Sequence, residues 1–231
     1  MLNISIKNVS SISRKSKRNL AILILIGGKS VRLGSDKGIF EYRGKPLISY
    51  QLETLSQRHY DIFLVANSKQ QVQTYIERID IKKIMAFITD DYSIILDKTL
   101  RTPMIGLYSG FKELDLLGYR KAFALSCDLP LINLEVIKFL IEKSKKYDCC
   151  IPQWNNGFLE PLFAIYPVKK ALTKAEKNLN KKRYRLTNIL DKNWKINYIS
   201  IESSIQPFDK NLSCFTHINE RIDLEKLIIK N

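Results

Sequence analysis

Cysteine and histidine are scarce in this chain of 231 residues, which contains 4 cysteines and 2 histidines. The cysteines fit no Cys-x-x-Cys pattern, so a structural zinc site is not expected. So few cysteines, without a signal peptide, indicate a protein of the reducing cytoplasm. Long hydrophobic runs are also missing. The longest one, residues 20–26, covers seven residues, whereas about 20 are needed to cross a bilayer. We therefore expect no membrane span.

Acidic residues are too few to balance the basic ones. The chain has 23 Asp and Glu against 38 Lys and Arg, which gives a net charge of +15. Such an excess favours an anionic partner: a phosphorylated small molecule, nucleic acid or an acidic lipid surface. Few aromatic residues lie among the basic ones, so no stacking platform for single strands is evident and nucleic acid is the less favoured partner.

The first 19 residues differ from the rest in charge, since they hold five basic residues and no acid. Lys7 and Asn8 interrupt any apolar segment there, so we predict a basic, disordered N-terminal tail over residues 1–19. Recruitment of RNA or membrane by this tail remains an alternative. The composition, with 45% hydrophobic and 26% charged residues, is that of a globular chain. At roughly 150 residues per domain, residues 20–231 are expected to form a single domain.

Apolar runs alternate with helical periodicities along most of the chain. Runs typical of buried strands occupy residues 20–26, 61–66, 84–89 and 121–126, and further strands are predicted at 149–152, 161–166 and 194–201. Helices are predicted between them, the later ones being a basic helix over 168–179 and a closing helix over 222–229. This alternation is typical of βαβ units. The fold class predicted is α/β: a three-layer, Rossmann-like, mostly parallel and doubly wound sheet.

Polar and small residues follow four of the predicted strands. Gly27 and Gly28 end the first, Asn67 the second, Asp90 the third and Asp128 the fourth. In an open parallel sheet, ligands collect outside the carboxyl ends of the strands. These residues are therefore the candidates for a binding site.

The loop after the first strand carries three cations, Lys29, Arg32 and Lys37. Its adjacent glycines do not fit the dinucleotide pattern G-x-G-x-x-G, and Leu23 stands where a Walker loop needs its first glycine. Glycines let backbone N–H groups approach phosphate oxygens, and cations offset the charge of a triphosphate. The loop therefore predicts a triphosphate site of another kind.

Residues 25–37 resemble the signature of the MobA-like nucleotidyltransferase family, which reads roughly L-A-G-G-x-S-x-R-M-G-x-D-K. The segments at 44–47, 127–131, 160–166 and 217–224 are similar to the family's G-K-P-L, C-D-x-P, P-L-F-A-L-Y and N-x-N-T-P-E-D-L segments. The resemblance spans residues 20–229. It implies a fold like that of the nucleotide-diphospho-sugar transferases and an Mg²⁺-dependent nucleotidyltransferase.

The best-known activity of this family is guanylyl transfer to the molybdenum cofactor. The resemblance implies that GTP and a molybdenum-bound pterin phosphate give the guanine dinucleotide cofactor and pyrophosphate. It implies that Asp90 lies by the guanosine and that Asp128 holds Mg²⁺. The predicted nucleotide-binding residues are Leu25, Ile26, Gly27, Gly28, Lys37, Asn67, Asp90 and Asp128. The predicted catalytic residues are Asp128, Lys37 and Arg32, and contact with molybdoenzyme maturation proteins is a further expectation.

The chemistry of such a transfer agrees with these residue types. A phosphate that attacks a triphosphate brings two strongly negative groups together, so catalysis depends on positioning and charge neutralisation. The attacking phosphate is already ionised, its second pKa being about 6, so no general base is needed. Mg²⁺ prefers one or two carboxylates together with phosphates and water, which Asp128 can supply. The alternative is that Asp128 only caps the loop before Pro130.

Several positions depart from the family pattern. Ile26 replaces a usual alanine, Thr102 a glycine and His217 an asparagine, while Val65 occupies a position where an asparagine is common. Whether Asp90 or Asp91 is the functional carboxylate stays open, as does the acceptor surface. Candidates for that surface are Arg183, Tyr184, Arg185 and Asn188. The alternatives to guanylyl transfer are transfer from CTP or another nucleotide, a sugar phosphate or cobinamide as acceptor, and a non-catalytic nucleotide-binding subunit.

Overall fold

The structure is a computed structural model that describes residues 18–27, 29–30, 35–218 and 223. Its strands, in chain order, are β1 (Arg18–Leu25), β2 (Lys29–Ser30), β3 (Ser35–Asp36), β4 (Glu41–Tyr42), β5 (Lys45–Pro46), β6 (Asp61–Ala66), β7 (Ala86–Thr89), β8 (Tyr119–Ser126), β9 (Cys149–Gln153), β10 (Phe163–Pro167) and β11 (Ile196–Ser200). The predicted closing helix over 222–229 lies outside the described residues, except for position 223, which is helical.

Seven strands form one sheet in the order β11-β9-β10-β8-β1-β6-β7. β1 pairs in parallel with β6 and β8, β6 with β7, and β9 with β11. β10 is antiparallel to both of its neighbours. The segment between β9 and β10, residues 154–162, is too short for the crossover that parallel strands require. The prediction of a mostly parallel sheet is confirmed.

Two short antiparallel ribbons, β2 with β3 and β4 with β5, lie between β1 and the first helix. The helices are α1 (Leu47–Ser56), α2 (Lys69–Ile76), α3 (Pro103–Leu116), α4 (Leu134–Ser144) and α5 (Val168–Asn180). Side chains cap several of them: the Ser68 hydroxyl accepts from the N–H of Gln71 at the start of α2, and Asn133 caps α4 in the same way. Among the described residues, no helix has both the length and the apolar composition needed to span a membrane.

The helices cover both faces of the sheet, as alternate residues of β1 show. Ile22 and Ile24 pack in the core cluster that includes α1, α2 and α4 residues, whereas Ala21 and Leu23 pack in the cluster that includes α3 and α5 residues. Since both faces are buried, β1 is apolar at every position from 21 to 25. The three-layer, doubly wound prediction is thus confirmed.

The first strand begins earlier than the hydrophobic run suggests. Arg18 lies beside Tyr119 in the pairing of β1 with β8, and its guanidinium donates to the Tyr119 hydroxyl at 2.9 Å. Polar residues 18 and 19, which the sequence assigns to the basic tail, are therefore part of the sheet. Residues 1–17 of that predicted tail lie outside the described residues.

Candidate active site

The candidate site lies at the carboxyl ends of β1 and β8. These neighbouring strands mark the point at which the strand order reverses, because the chain moves outward from β1 to β7 and then returns to the other side of β1. Such switch points form a crevice at the carboxyl edge. Leu25 of β1 pairs with Ser126 of β8, so the loops that follow both strands start side by side.

Asp128, two residues beyond β8, lies at the centre of the candidate site. The Lys37 ammonium lies 3.1 Å from its Oδ2, and Nδ1 of His217 lies 3.3 Å from its Oδ1. Nε2 of the same imidazole lies 3.8 Å from a carboxylate oxygen of Glu160, whose other oxygen accepts from the Trp154 indole at 2.7 Å. Cationic and anionic groups thus alternate from Lys37 to Glu160.

These contacts set the ionisation of the groups. Burial by itself would raise the pKa of Asp128, but hydrogen bonds from His217 and Ser126, with the charges of His217 and Lys37, lower it to about 2. Hydrogen bonds to Asp128 and Glu160 raise the pKa of His217 to about 9 against the effect of burial. At neutral pH the site therefore holds an ionised Asp128 beside an imidazolium.

The loop that carries Asp128 is held by residues of other elements. Gln51, fully buried on α1, donates from Nε2 to the carbonyls of Ser126 and Leu129, both at 2.7 Å. The N–H of Ile218 donates to the Asp128 carbonyl at 2.9 Å. Because these groups fix the backbone of the loop, the Asp128 carboxylate is left to contact Lys37 and His217, which come from other segments. Sequence patterns gave no signal for Gln51, and Glu160, the first residue of the family-like segment 160–166, was assigned no role.

Of the first loop, the structure describes residues 27, 29–30 and 35–37. Gly28 and Arg32, both predicted site residues, lie outside the described residues. Gly27 is exposed at the end of β1, and a Cβ placed on it would lie 3.6 Å from the Asn67 Cβ. Asn67 therefore borders the same edge as the first loop, whereas Val65 is buried in the core.

Ile26 points away from the cleft. Its side chain is fully buried in the core cluster that includes α1, α2 and α4 residues. Its N–H donates to the Val65 carbonyl at 2.9 Å and its own carbonyl accepts from Gln71 at 2.9 Å. The bulk that replaces the family's alanine is accommodated in the core. The Ile26 side chain is therefore not available for the predicted role in nucleotide binding, and its backbone N–H and carbonyl are already hydrogen-bonded to Val65 and Gln71.

The two carboxylates after β7 have different surroundings. Oδ1 of Asp90 lies 3.6 Å from the position that a Cβ on Gly106 would take, beside Leu25. Burial raises the pKa of Asp90 to about 7, although the charge of Arg101 acts in the opposite direction. Asp91 instead forms an ion pair of 2.6 Å with Lys112 of α3. Asp90 thus lies beside Leu25 just after β7, and Asp91 anchors its loop to α3.

The donor set at Asp128 is compatible with a magnesium ion. No group of three or more His, Cys, Asp or Glu residues in the described part of the chain could hold a metal by itself. Mg²⁺ does not need such a group, since it is commonly held by one or two carboxylates and completed by substrate phosphates and water. An ionised, largely buried carboxylate such as Asp128, beside the loop that the sequence predicts to bind a triphosphate, is a donor of this kind.

The proposed acceptor residues follow α5, which starts at the amino edge of the sheet because it follows the antiparallel strand β10. A helix of 13 residues, at 1.5 Å per residue, brings the chain back to the carboxyl edge. Arg183 and Arg185 are exposed there. Tyr184 packs against the core cluster of α3 and α5, and Asn188 accepts through its carbonyl from Asn178 at 2.9 Å.

Comparison with known proteins gives consistent matches. Residues 22–194 match the family model of the MobA-like NTP transferase domain. The chain is 29% identical over 208 residues to a probable molybdenum cofactor guanylyltransferase of Thermococcus sibiricus, covering 89% of this chain and 95% of that protein. It is 30% identical over 211 residues to the protein of the same name in Thermococcus gammatolerans, covering 88% and 96%.

A solved structure shows the same fold. The molybdopterin-guanine dinucleotide biosynthesis protein A of Archaeoglobus fulgidus superimposes with a TM-score of 0.72 at 24% identity, covering 91% of this chain and 100% of that one.

Proposed function

Because the chain belongs to the MobA-like NTP transferase family, we propose that it transfers GMP from GTP to the phosphate of a molybdenum-bound pterin. In this reaction an acceptor phosphate oxygen attacks the α-phosphorus of GTP, the bond from that phosphorus to the bridging oxygen breaks, and pyrophosphate leaves. The observation that carries the proposal is the contact of Lys37 with Asp128 across the ends of β1 and β8.

This contact supports phosphoryl chemistry because it places a cation and an ionised carboxylate where strand ends form a crevice. The Lys37 ammonium would bind the phosphates and neutralise charge that develops on the leaving pyrophosphate. Arg32, from the same loop, is proposed to assist. Asp128 would hold Mg²⁺, which when bound supplies further neutralisation of the phosphate charges. Since its pKa is about 2, Asp128 is ionised throughout the physiological range.

The other end of the site would take the nucleoside. Leu25, Gly27 and Gly28 are proposed to line it, with Asn67 beside Gly27. Asp90 is proposed to accept hydrogen bonds from the guanosine. A carboxyl group with a pKa of about 7 is only partly ionised at neutral pH, so binding of a nucleoside that donates to it would strengthen as the pH rises through 7.

The acceptor would approach from the β8 and β10 side of the edge. Arg183 and Arg185 are exposed at the end of α5, and the acceptor phosphate is anionic. We propose that these guanidinium groups attract it, since Arg matches the geometry of phosphate oxygens.

The proposal is tested by product analysis. The purified chain is incubated with Mg²⁺, the molybdenum-pterin cofactor and GTP, CTP, ATP or UTP in turn, and the products are identified by mass spectrometry. We expect a dinucleotide cofactor with GTP alone. We also expect Asp128→Asn to fold and to lose at least about 10²-fold in rate, the scale found for loss of one preorganised electrostatic group. A product with CTP but not GTP would refute guanylyl transfer. Normal pyrophosphate release by Asp128→Asn would refute the role of Asp128.

A further inference from the structure

Asp36, which directly precedes Lys37, is held by the inner face of α2. The Tyr75 hydroxyl donates to its Oδ1 at 2.6 Å, and Nε2 of Gln71 donates to its Oδ2. The Gly38 N–H also donates to Oδ1, at 3.1 Å. Tyr75 is fully buried and Gln71 is 8% exposed. The two helix residues are four positions apart, so they lie one turn above the other.

Gln71 joins three separate segments through one amide group. Its Nε2 donates to the Ile26 carbonyl at 2.9 Å as well as to Asp36, and its Oε1 accepts from the Asn67 N–H at 2.7 Å. Both of its donor hydrogens are therefore used. The end of β1, the end of β6 and the Lys37 loop are thus fixed relative to one another by a side chain that belongs to none of them.

The space at Gly38 shows how closely the loop fits onto α2. A Cβ on Gly38 would lie 2.2 Å from the Tyr75 hydroxyl oxygen, a distance that real side chains do not adopt. Only glycine leaves room at this position for the hydroxyl that binds Asp36. The two chain neighbours of Lys37, Asp36 and Gly38, therefore both contact Tyr75.

Lysine has a flexible four-carbon stem, so where its ammonium can reach depends on where its backbone is held. Here the backbone of Lys37 lies between Asp36 and Gly38, and its ammonium lies 3.1 Å from Asp128. We propose that Tyr75 and Gln71 are positioning residues of the triphosphate site, which act through Asp36 to aim Lys37 at the phosphates. The inference rests on the proposed function in that it assumes a triphosphate binds at Lys37.

The chain offers a matched control for Tyr75. The Tyr119 hydroxyl, also buried, donates to Oδ2 of Asp61 at the same distance of 2.6 Å. Tyr119 and Asp61 begin β8 and β6, so this pair lies at the amino edge, opposite the site. Tyr75→Phe and Tyr119→Phe each remove one buried tyrosine–aspartate hydrogen bond and keep the ring. Tyr119→Phe also removes the acceptor of the Arg18 guanidinium.

The test measures dissociation constants for Mg²⁺-tripolyphosphate and for Mg²⁺-GTP by calorimetry, together with KM for GTP and for the acceptor. We expect Tyr75→Phe to weaken tripolyphosphate binding and to raise KM for GTP by about tenfold, the effect of about 1.4 kcal/mol. KM for the acceptor should stay unchanged. Tyr119→Phe should lower the unfolding midpoint at least as much as Tyr75→Phe, since it loses two hydrogen bonds, but it should keep wild-type affinities.

A second comparison asks whether Tyr75 acts through Lys37. In a Lys37→Ala background, Tyr75→Phe should cause no further loss of tripolyphosphate affinity, since the group that it positions is gone. Additive losses would overturn the inference, as would equal affinities in the two tyrosine variants. If Tyr75→Phe fails to fold, Gln71→Met is used with the same expectations. A wild-type chain that binds tripolyphosphate through Lys37 but makes no guanylylated product would refute the proposed function and leave this inference intact.

Discussion

At the scale of single residues, His217 is the position where this chain departs from its family with the clearest consequence. The imidazole lies between two carboxylates, Asp128 and Glu160, which come from different loops. An asparagine there could form hydrogen bonds but could not carry charge. The histidine places a cation beside the carboxylate proposed to hold the metal, so it links the C-terminal segment to the site through charge as well as hydrogen bonding.

The pKa of His217, raised to about 9 by its hydrogen bonds to Asp128 and Glu160, predicts a pH dependence of stability. The unfolded-state value is near 6.5, so the stabilisation is complete below pH 6.5 and is lost as the pH rises through about 9. We expect His217→Asn to be less stable than the wild type at pH 6 and to approach it by pH 10. Urea unfolding at each pH measures this difference.

A direct measurement follows the imidazole by NMR titration. We expect the His217 resonance to titrate near pH 9 in the wild type and at a lower pH in Asp128→Asn, where one carboxylate is lost. His59→Asn, at an exposed position in the connection before β6, serves as the control variant. Titration of His217 near pH 6.5 in the wild type would contradict the prediction.

At the scale of elements, α3 packs unusually close to β1. A Cβ on Gly110 would lie 2.5 and 2.8 Å from the two methyl groups of Leu23. A Cβ on Gly106 would lie no closer than 3.2 Å to Leu25 and 3.6 Å from Asp90. Two glycines one turn apart thus let the helix approach the strand, with Gly110 the more confined.

Gly110→Ala is therefore expected to destabilise the protein. Alanine gains about 1 kcal/mol over glycine in a helix, but inserting a methyl group into a packed core costs about 1–3 kcal/mol. At Gly110 the overlap should exceed the gain, whereas at Gly106 the two should nearly cancel. Guanidinium unfolding of both variants measures the difference. Equal stabilities for Gly110→Ala and Gly106→Ala would show that α3 can move away from β1.

At the scale of the whole molecule, the four cysteines report on how the core unfolds. All four are free and buried. Cys149 and Cys150 are adjacent on β9 and point to opposite faces, one into each large core cluster. Burial raises the pKa of each thiol. The thiolate is the reactive form. The folded protein therefore protects the thiols in two ways: burial limits the access of reagents, and the raised pKa keeps the thiols protonated.

Ellman's reagent should therefore find no fast-reacting thiol in the native protein and four after denaturation. Because both faces share one sheet, we expect the four thiols to become reactive in one transition, coincident with loss of helical circular dichroism. A titration in urea that follows both signals makes the comparison. Early exposure of some thiols, before the loss of secondary structure, would indicate that the two layers unfold separately.

Much of the fold could be predicted from the sequence. The apolar run at 61–66 agrees with the bounds of β6, and α3 lies between the third and fourth predicted strands, where a helix is predicted. A strand that is buried on both faces is apolar at successive positions, so it is visible in the sequence as a continuous hydrophobic run. The antiparallel direction of β10 was not specified by the pattern, since strand direction depends on the connection and not on hydrophobicity.

The candidate site, like the fold, could be predicted only in part from the sequence. The signature loop and the polar residues at strand ends were visible in the sequence because each follows a strand in the chain. The contacts of Asp128 with Lys37 and His217 join residues 91 and 89 positions apart, and Gln71 reaches back 45 positions to Ile26. No periodic pattern connects such distant positions.

The sequence by itself determined the order and type of the elements, because hydrophobic periodicity and turn residues act between neighbours in the chain. Only the tertiary structure decided that Tyr75 and Gln71 hold Asp36 and that His217 pairs with Asp128. Those contacts depend on how helices pack on the sheet and where its loops meet, which side chains far apart in the chain determine together.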